Sequence, residues 1–456
     1  MVFGGSPQGN VVSCDHVPRS GAEVSEIPTL RRTLTLRDLI VYGLLFIGPL
    51  APVGVFGVLD ARSGGAVALV YLIATIAMGL TAYSYATMSA EIPRAGSVFS
   101  YASAGLGPTA GFFAGWLVLL DYLLIPSVAY LFTGIATNAL VPGIPIWLAT
   151  GVAIVVTTAV NLAGVRLAAV VGLVVLAVEI VLLVVFVVAA VAVLISQGAQ
   201  RPWLSPFGGV SGFDFTAVVG AVSVAVLSFL GFDAIASFAE ENAGPSRIVG
   251  RATLFCLVLA GGLFVLQTYL GALLTPANPT GKPGQVFYEM LRTSVGPWLA
   301  VAVTAVKAVG PAFSAMVAQA AVGRLLYSMA REARLPKRLA AVDSRTKTPW
   351  TAILVSAVLT LAIAVWAASR DDGLDILVSI VDVGALAAFT LLHFSVIGYF
   401  RGRHKVAAHL VVPVLGAAVM IAVLALSSTT ALIVGAIWLA VGIGMNVLGQ
   451  RANLRP

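Results

Sequence analysis

The feature that most constrains this chain is its supply of long apolar runs. Twelve stretches of about 20 residues each can cross a bilayer core of roughly 30 Å as helix. They fall near residues 39–59, 66–87, 111–138, 146–163, 168–195, 215–240, 252–274, 297–326, 350–369, 374–399, 408–427 and 430–448. The predicted class is an all-α integral membrane protein of twelve transmembrane helices. Composition agrees: only 10% of the 456 residues are charged, against about 25% in a soluble domain that must wet its surface. That excludes a soluble enzyme. It also excludes disorder except at the ends, where residues 1–35 read as a disordered cytoplasmic tail. No short apolar core followed by a small-residue cleavage site opens the chain, so no cleaved secretory signal is expected.

An even number of spans puts both termini on one side, and the basic residues choose the side. Of the 26 Lys and Arg, 20 fall in the segments that share the N-terminal side. Five (Arg62, Arg201, Lys282, Arg292 and Arg370) fall in the opposite loops, and Lys307 lies inside a span. The bias predicts cytoplasmic N- and C-termini in the cell membrane. The net charge of +7 is thereby accounted for without a nucleic-acid partner. The basic stretch from Arg324 to Pro349 reads as an inner loop anchored electrostatically to the membrane surface.

The first span is interrupted by Gly48, Pro49, Pro52 and Gly54, with Leu50 and Ala51 between them. Pro49 and Pro52 each remove a backbone donor and clash with the preceding turn, so carbonyls near residues 45–48 are freed and a continuous helix is not expected. Bare backbone at that depth is tolerated where it lines a cavity. The sixth span is interrupted in its turn by Ser228, Phe229, Leu230, Gly231, Phe232 and Asp233. Broken helices at matching positions of two five-span halves point to the substrate site of a transporter. Half-helix N-termini suit an anionic group and freed carbonyls suit a cation, which is what an amino acid or amine presents. A channel would need rings of charge or a filter sequence, and no catalytic cluster of His, Cys and Asp appears in the spans. The four histidines suggest no metal site, Cys14 and Cys256 no disulfide, and no cofactor is expected.

Several segments together resemble one family, the amino acid, polyamine and organocation permeases. They are the broken first span, the loop from Met88 to Ser97, Gly115-Trp116 through Asp121-Tyr122, and Ser228 through Asp233 followed by Glu240-Glu241. Arg324 through Arg331, Thr348-Pro349 and Gly384-Ala385-Leu386 fit the same pattern, so the resemblance runs from about residue 31 to about residue 450. It is nearest to the bacterial putrescine importers. The resemblance implies a five-plus-five inverted repeat, residues 36–200 and 201–405, followed by accessory spans in 406–456. It also implies substrate held between spans one and six, with spans three, eight and ten along the route. The implied activity is uptake of a small amino acid driven by protons, with a polyamine importer or an amino acid/amine exchanger as the alternative; no Gly-x-x-x-x-Gly-Lys-Ser/Thr run suggests an ATP motor. By the same resemblance, backbone from Gly48 to Gly54 contacts the substrate's carboxylate and Ser228 to Asp233 its amino end.

Five ionisable residues lie inside spans: Asp121, Glu179, Asp233, Lys307 and Asp382. Such groups are costly in lipid and are functional candidates by default. With four acids to one base, at least one acid is expected to carry a proton or a bound cation. Asp233 is the first candidate for the substrate ammonium or the coupling proton, with a cap on the second half-helix as the alternative. Asp121 and Tyr122 fit the family pattern in span three, with a structural hydrogen-bond partner and core packing as their alternatives, and Glu179 is either a proton carrier or a hydrogen-bonded neutral acid. Lys307 departs from the putrescine-importer pattern: a fixed cation repels a diamine and favours a substrate with a carboxylate, unless it is paired, with Asp382 as its expected partner.

Overall fold

The computed structural model describes residues 32–279, 283–370, 373–402, 407–427 and 429–453. Most of the predicted tail lies outside them, and so does the side chain of Asp382, although its backbone is helical. Helix α1 (Leu36–Ile47) starts where Thr35 and Asp38 cap each other's amides at 2.9 and 3.4 Å. It stops at Gly48, whose φ of +76° suits glycine. Helix α2 (Ala51–Arg62) restarts with Pro52 in its first turn, where a missing amide costs nothing, and the two axes bend by 42°. The first broken span is therefore present.

Then come α3 (Val67–Glu91), α4 (Val98–Leu106), α5 (Pro108–Leu140), α6 (Ile146–Leu162) and α7 (Val165–Gln197). Along α7, Val174, Val178, Val181 and Val188 form an exposed apolar stripe. Leu176, Glu179, Leu183 and Phe186 are buried on the other face. The stripe suits lipid, and the helical period carries Glu179 inward.

After the short α8 (Ser205–Gly208), helix α9 (Phe215–Leu227) is capped by Asp214, which accepts from the amides of Thr216 and Ala217 at 2.9 and 3.1 Å. It ends at Ser228, the chain turns at Gly231 with φ of +115°, and Phe232–Glu241 continues as a tighter 3-10 helix. The remaining helices are α10 (Arg247–Leu274), α11 (Val286–Met290), α12 (Pro297–Lys307), α13 (Gly310–Arg331), α14 (Trp350–Ala368), α15 (Gly373–Tyr399), α16 (Val412–Ala425) and α17 (Thr429–Asn453). Among the described residues ten helices are long and apolar enough to cross a membrane, and the bent pair makes eleven. The expected fourth span is α6, apolar but only 17 residues long.

The two breaks pack on each other. A Cβ on Gly231 would stand 2.6 Å from the Phe46 ring, so only glycine admits the end of α1 there. Tyr42 stacks on Phe238 at 4.8 Å between ring centres, fastening α1 along the 3-10 segment. At the same end, Leu34 bridges Asn242 with strand-like hydrogen bonds from Leu34 N to Glu241 O (2.9 Å) and from Ala243 N to Leu34 O (2.9 Å). The accessory helices attach through Trp438 of α17, which stacks on Trp116 of α5 at 4.5 Å while each indole donates to the other's carbonyl.

The expected eighth span is matched by Pro297–Arg331, long and apolar enough to cross a membrane, with a break inside it: α12 ends at Lys307 and α13 starts at Gly310, because Pro311 has no amide to give the Lys307 carbonyl. One expectation is corrected. The basic stretch starting at Arg324 is not all loop, since α13 runs to Arg331. Arg324 is buried in a two-pronged ion pair with Glu241 and lies over Phe238, while Arg331 pairs with Glu240. These arginines tie span eight to span six and are not free to serve as surface anchors.

Candidate functional site

Each break exposes carbonyls, and neighbouring helices send side chains to them. Ser314 Oγ of α13 donates to Phe46 O at 2.6 Å. Gln267 Nε2 of α10 donates to Pro49 O at 3.1 Å, and Lys307 Nζ reaches Leu50 O at 3.4 Å. The freed carbonyls predicted near residues 45–48 thus extend to Leu50, and each of these three has a protein donor. Ser314 and Gln267 were missed at the sequence level. The available signals were a glutamine in an otherwise apolar run and the Gly310-Pro311 pair just before Ser314.

Around this backbone lies a cavity of about 140 Å³. Gly48, Leu50, Ala51 and Gly54 from the first break form one wall, and Leu227, Ser228 and Leu230 from the second form another. Ile125 and Phe132 of α5 and Val378 of α15 supply apolar surface. The charged groups on the lining are Glu179 from α7 and Lys307 from the end of α12. The Lys307 ammonium lies 5.7 Å over the Phe132 ring, a cation–π arrangement.

The structure therefore brings Gly48, Leu50, Ala51, Gly54, Ser228, Glu179 and Lys307 to one cavity. Pro49 and Pro52 shape the break without lining it. Asp233 is fully buried outside the lining: Tyr122 donates to its Oδ2 at 2.5 Å and the Gly231 amide to its Oδ1 at 3.2 Å. Asp233 thus serves the second break as a hydrogen-bond acceptor, and the helix Phe232–Glu241 has no side-chain cap. Asp121 is buried next to Tyr122 and also stays off the lining. Phe229 packs on Phe264 and Tyr71, and Phe232 on Tyr85 and Phe389, so both are core aromatics in this arrangement. Of the expected Lys307 pairing with Asp382, only the lysine's side is described.

Two buried ion pairs sit at opposite ends of the broken first span by chain order. Asp60, near the end of α2, holds Arg201 through two bonds of 2.7 and 2.8 Å, and Arg201 also donates to Pro276 O at 2.8 Å. At the other end stand Glu241 and Arg324, beside Leu34. Along the chain, the lining residues Phe46 to Val55 lie between these two fastenings.

A family model described as amino acid permease matches residues 39–451. The low-affinity putrescine importer PlaP of Escherichia coli (strain K12) is 31% identical over 427 residues, covering 91% of this chain and 92% of its own. The branched-chain amino acid permease BcaP of Lactococcus lactis subsp. cremoris (strain MG1363) is 26% identical over 399 residues, 82% of this chain and 83% of its own. Cationic amino acid transporter 4 of Mus musculus is 26% identical over 404 residues, 82% of this chain and 61% of its own. These relatives are transporters, not enzymes.

Proposed function

We propose that this chain, which belongs to the amino acid permease family, is a secondary carrier that imports a small amino acid together with a proton across the cell membrane. The observation that carries the reading is Lys307, whose Nζ lies on the cavity wall at the break of the first span. A cation there attracts a carboxylate and repels a diamine. The N-terminus of α2 is lined up with the same cavity through Leu50 and Ala51, and its dipole favours the same negative group. Apolar surface from Ile125, Phe132, Leu230 and Val378 suits a short aliphatic side chain, and 140 Å³ suits a small one.

The proton follows from charge. Asp121, Glu179 and Asp233 are buried and Lys307 is half-buried, and low dielectric does not sustain that excess of acid as bare anions. We assign the coupling proton to Asp233, which is held by Tyr122 off the cavity lining and takes up and releases its proton as the breaks open to either side. Alternating access then consists of releasing one buried arginine tie while the other holds, with the bends at Gly48 and Gly231 as hinges.

A second reading, import of putrescine, is favoured by the 31% identity with PlaP across nearly its full length. The two readings separate in proteoliposomes under an inside-alkaline pH gradient, offered labelled neutral, cationic and acidic amino acids beside putrescine. Accumulation of a neutral amino acid that collapses with the gradient is the expected result. Accumulation of putrescine alone would replace the first reading with the second.

A further inference from the structure

We propose that Glu179 is the group that binds the substrate's ammonium, the place the sequence assigned to Asp233; this rests on the amino acid reading above. Asp233 is off the cavity and both its oxygens are engaged. The hydroxyls on the lining are engaged as well, Ser228 with Tyr71 at 2.9 Å and Ser314 with Phe46 O. Glu179 differs. It is 3% exposed, it lines the cavity, and its Oε2 has no hydrogen-bond partner among the described residues. Lys307 faces the same cavity, yet the two form no ion pair within the 4.0 Å that defines one.

A buried carboxylate oxygen without a donor is costly. Space has been made for it. Glu179 Oε1 lies against Gly310, where any Cβ would stand 2.0 Å from it, so the break between α12 and α13 is also the notch that admits the carboxylate. A substrate ammonium offers three donors, and a turn of the Glu179 carboxylate, whose Oε2 is closed off in this arrangement, presents the vacant oxygen to one of them. With Lys307 for the carboxylate and Glu179 for the ammonium, the cavity matches a zwitterion whose side chain is small and apolar.

The test is equilibrium binding of alanine, its desamino analogue propionate, and putrescine to the purified full-length protein in detergent. Wild type is compared with Glu179→Gln and Glu179→Asp, and thermal unfolding checks that each variant is folded. We expect Glu179→Gln to weaken alanine binding by about 10- to 100-fold, the worth of a hydrogen bond to a charged group, with propionate unchanged and partial recovery in Glu179→Asp. Unchanged alanine affinity in Glu179→Gln, with gradient-driven accumulation lost, would make Glu179 a proton carrier and overturn the proposal. If wild type binds putrescine and no amino acid, the amino acid reading fails. The ammonium anchor then stands or falls separately on whether Glu179→Gln weakens putrescine.

Discussion

Three residues show how single positions decide this site. Gly231 combines φ of +115° with a Cβ position 2.6 Å from Phe46, so Gly231→Ala should cost about 1–3 kcal/mol of backbone strain plus the displaced ring. It should lower the thermal midpoint in detergent by several degrees; an unchanged midpoint would mean that the breaks do not pack as described. Gly310 carries no such φ, and the obstacle to a side chain there is the Glu179 carboxylate itself. Gly310→Ala should therefore leave the protein folded and weaken amino acid binding much as Glu179→Gln does. Asp233→Asn keeps the shape and removes the titrating group; its one oxygen accepts from the Gly231 amide and its NH2 donates to the Tyr122 hydroxyl, reversing that bond. It should abolish gradient-driven accumulation while leaving counterflow exchange measurable, and loss of exchange along with accumulation would move Asp233 from coupling to binding. The ionisable residues were legible in the sequence because charge in an apolar run is rare. Their division between cavity and core was not, because the difference between Glu179 and Asp233 is set by which helix face each occupies and by a tyrosine 111 residues away.

At the scale of elements, the breaks at Gly48–Pro49 and at Gly231 could be read directly from the loss of amide donors and from glycine's access to positive φ. The third, between Lys307 and Gly310, carries the same kind of signal in Gly310-Pro311 but lies in a run apolar enough to pass for one helix. The arginines of α13 were harder still, since only the fold reveals that Glu240 and Glu241 come to meet them. Removing one partner of the buried Arg324–Glu241 pair should cost about 3–5 kcal/mol, because the survivor is left buried and unpaired. Arg324→Ala and Glu241→Ala should each destabilise the protein strongly. Arg324→Met combined with Glu241→Leu should recover most of the midpoint while altering the balance between inward- and outward-facing states. A double variant no more stable than the singles would show that the pair's role is not electrostatic.

For the whole molecule, the membrane class followed from the run of apolar spans, and the family from short motifs spread along the chain. The cavity's place between the two breaks was legible but its full lining was not, since six stretches of chain must come together before the walls exist. Its chemistry now rests on one arrangement, an ammonium and a carboxylate on the lining of an otherwise apolar space between two broken helices. The most direct measurement sets wild type beside Lys307→Ser in proteoliposomes under an inside-alkaline gradient, with labelled alanine and putrescine offered together. The account predicts alanine uptake by wild type and a shift of preference toward putrescine of at least about tenfold in the variant, equivalent to roughly 1.4 kcal/mol. Putrescine accumulation by wild type that Lys307→Ser leaves unchanged or reduces would contradict it.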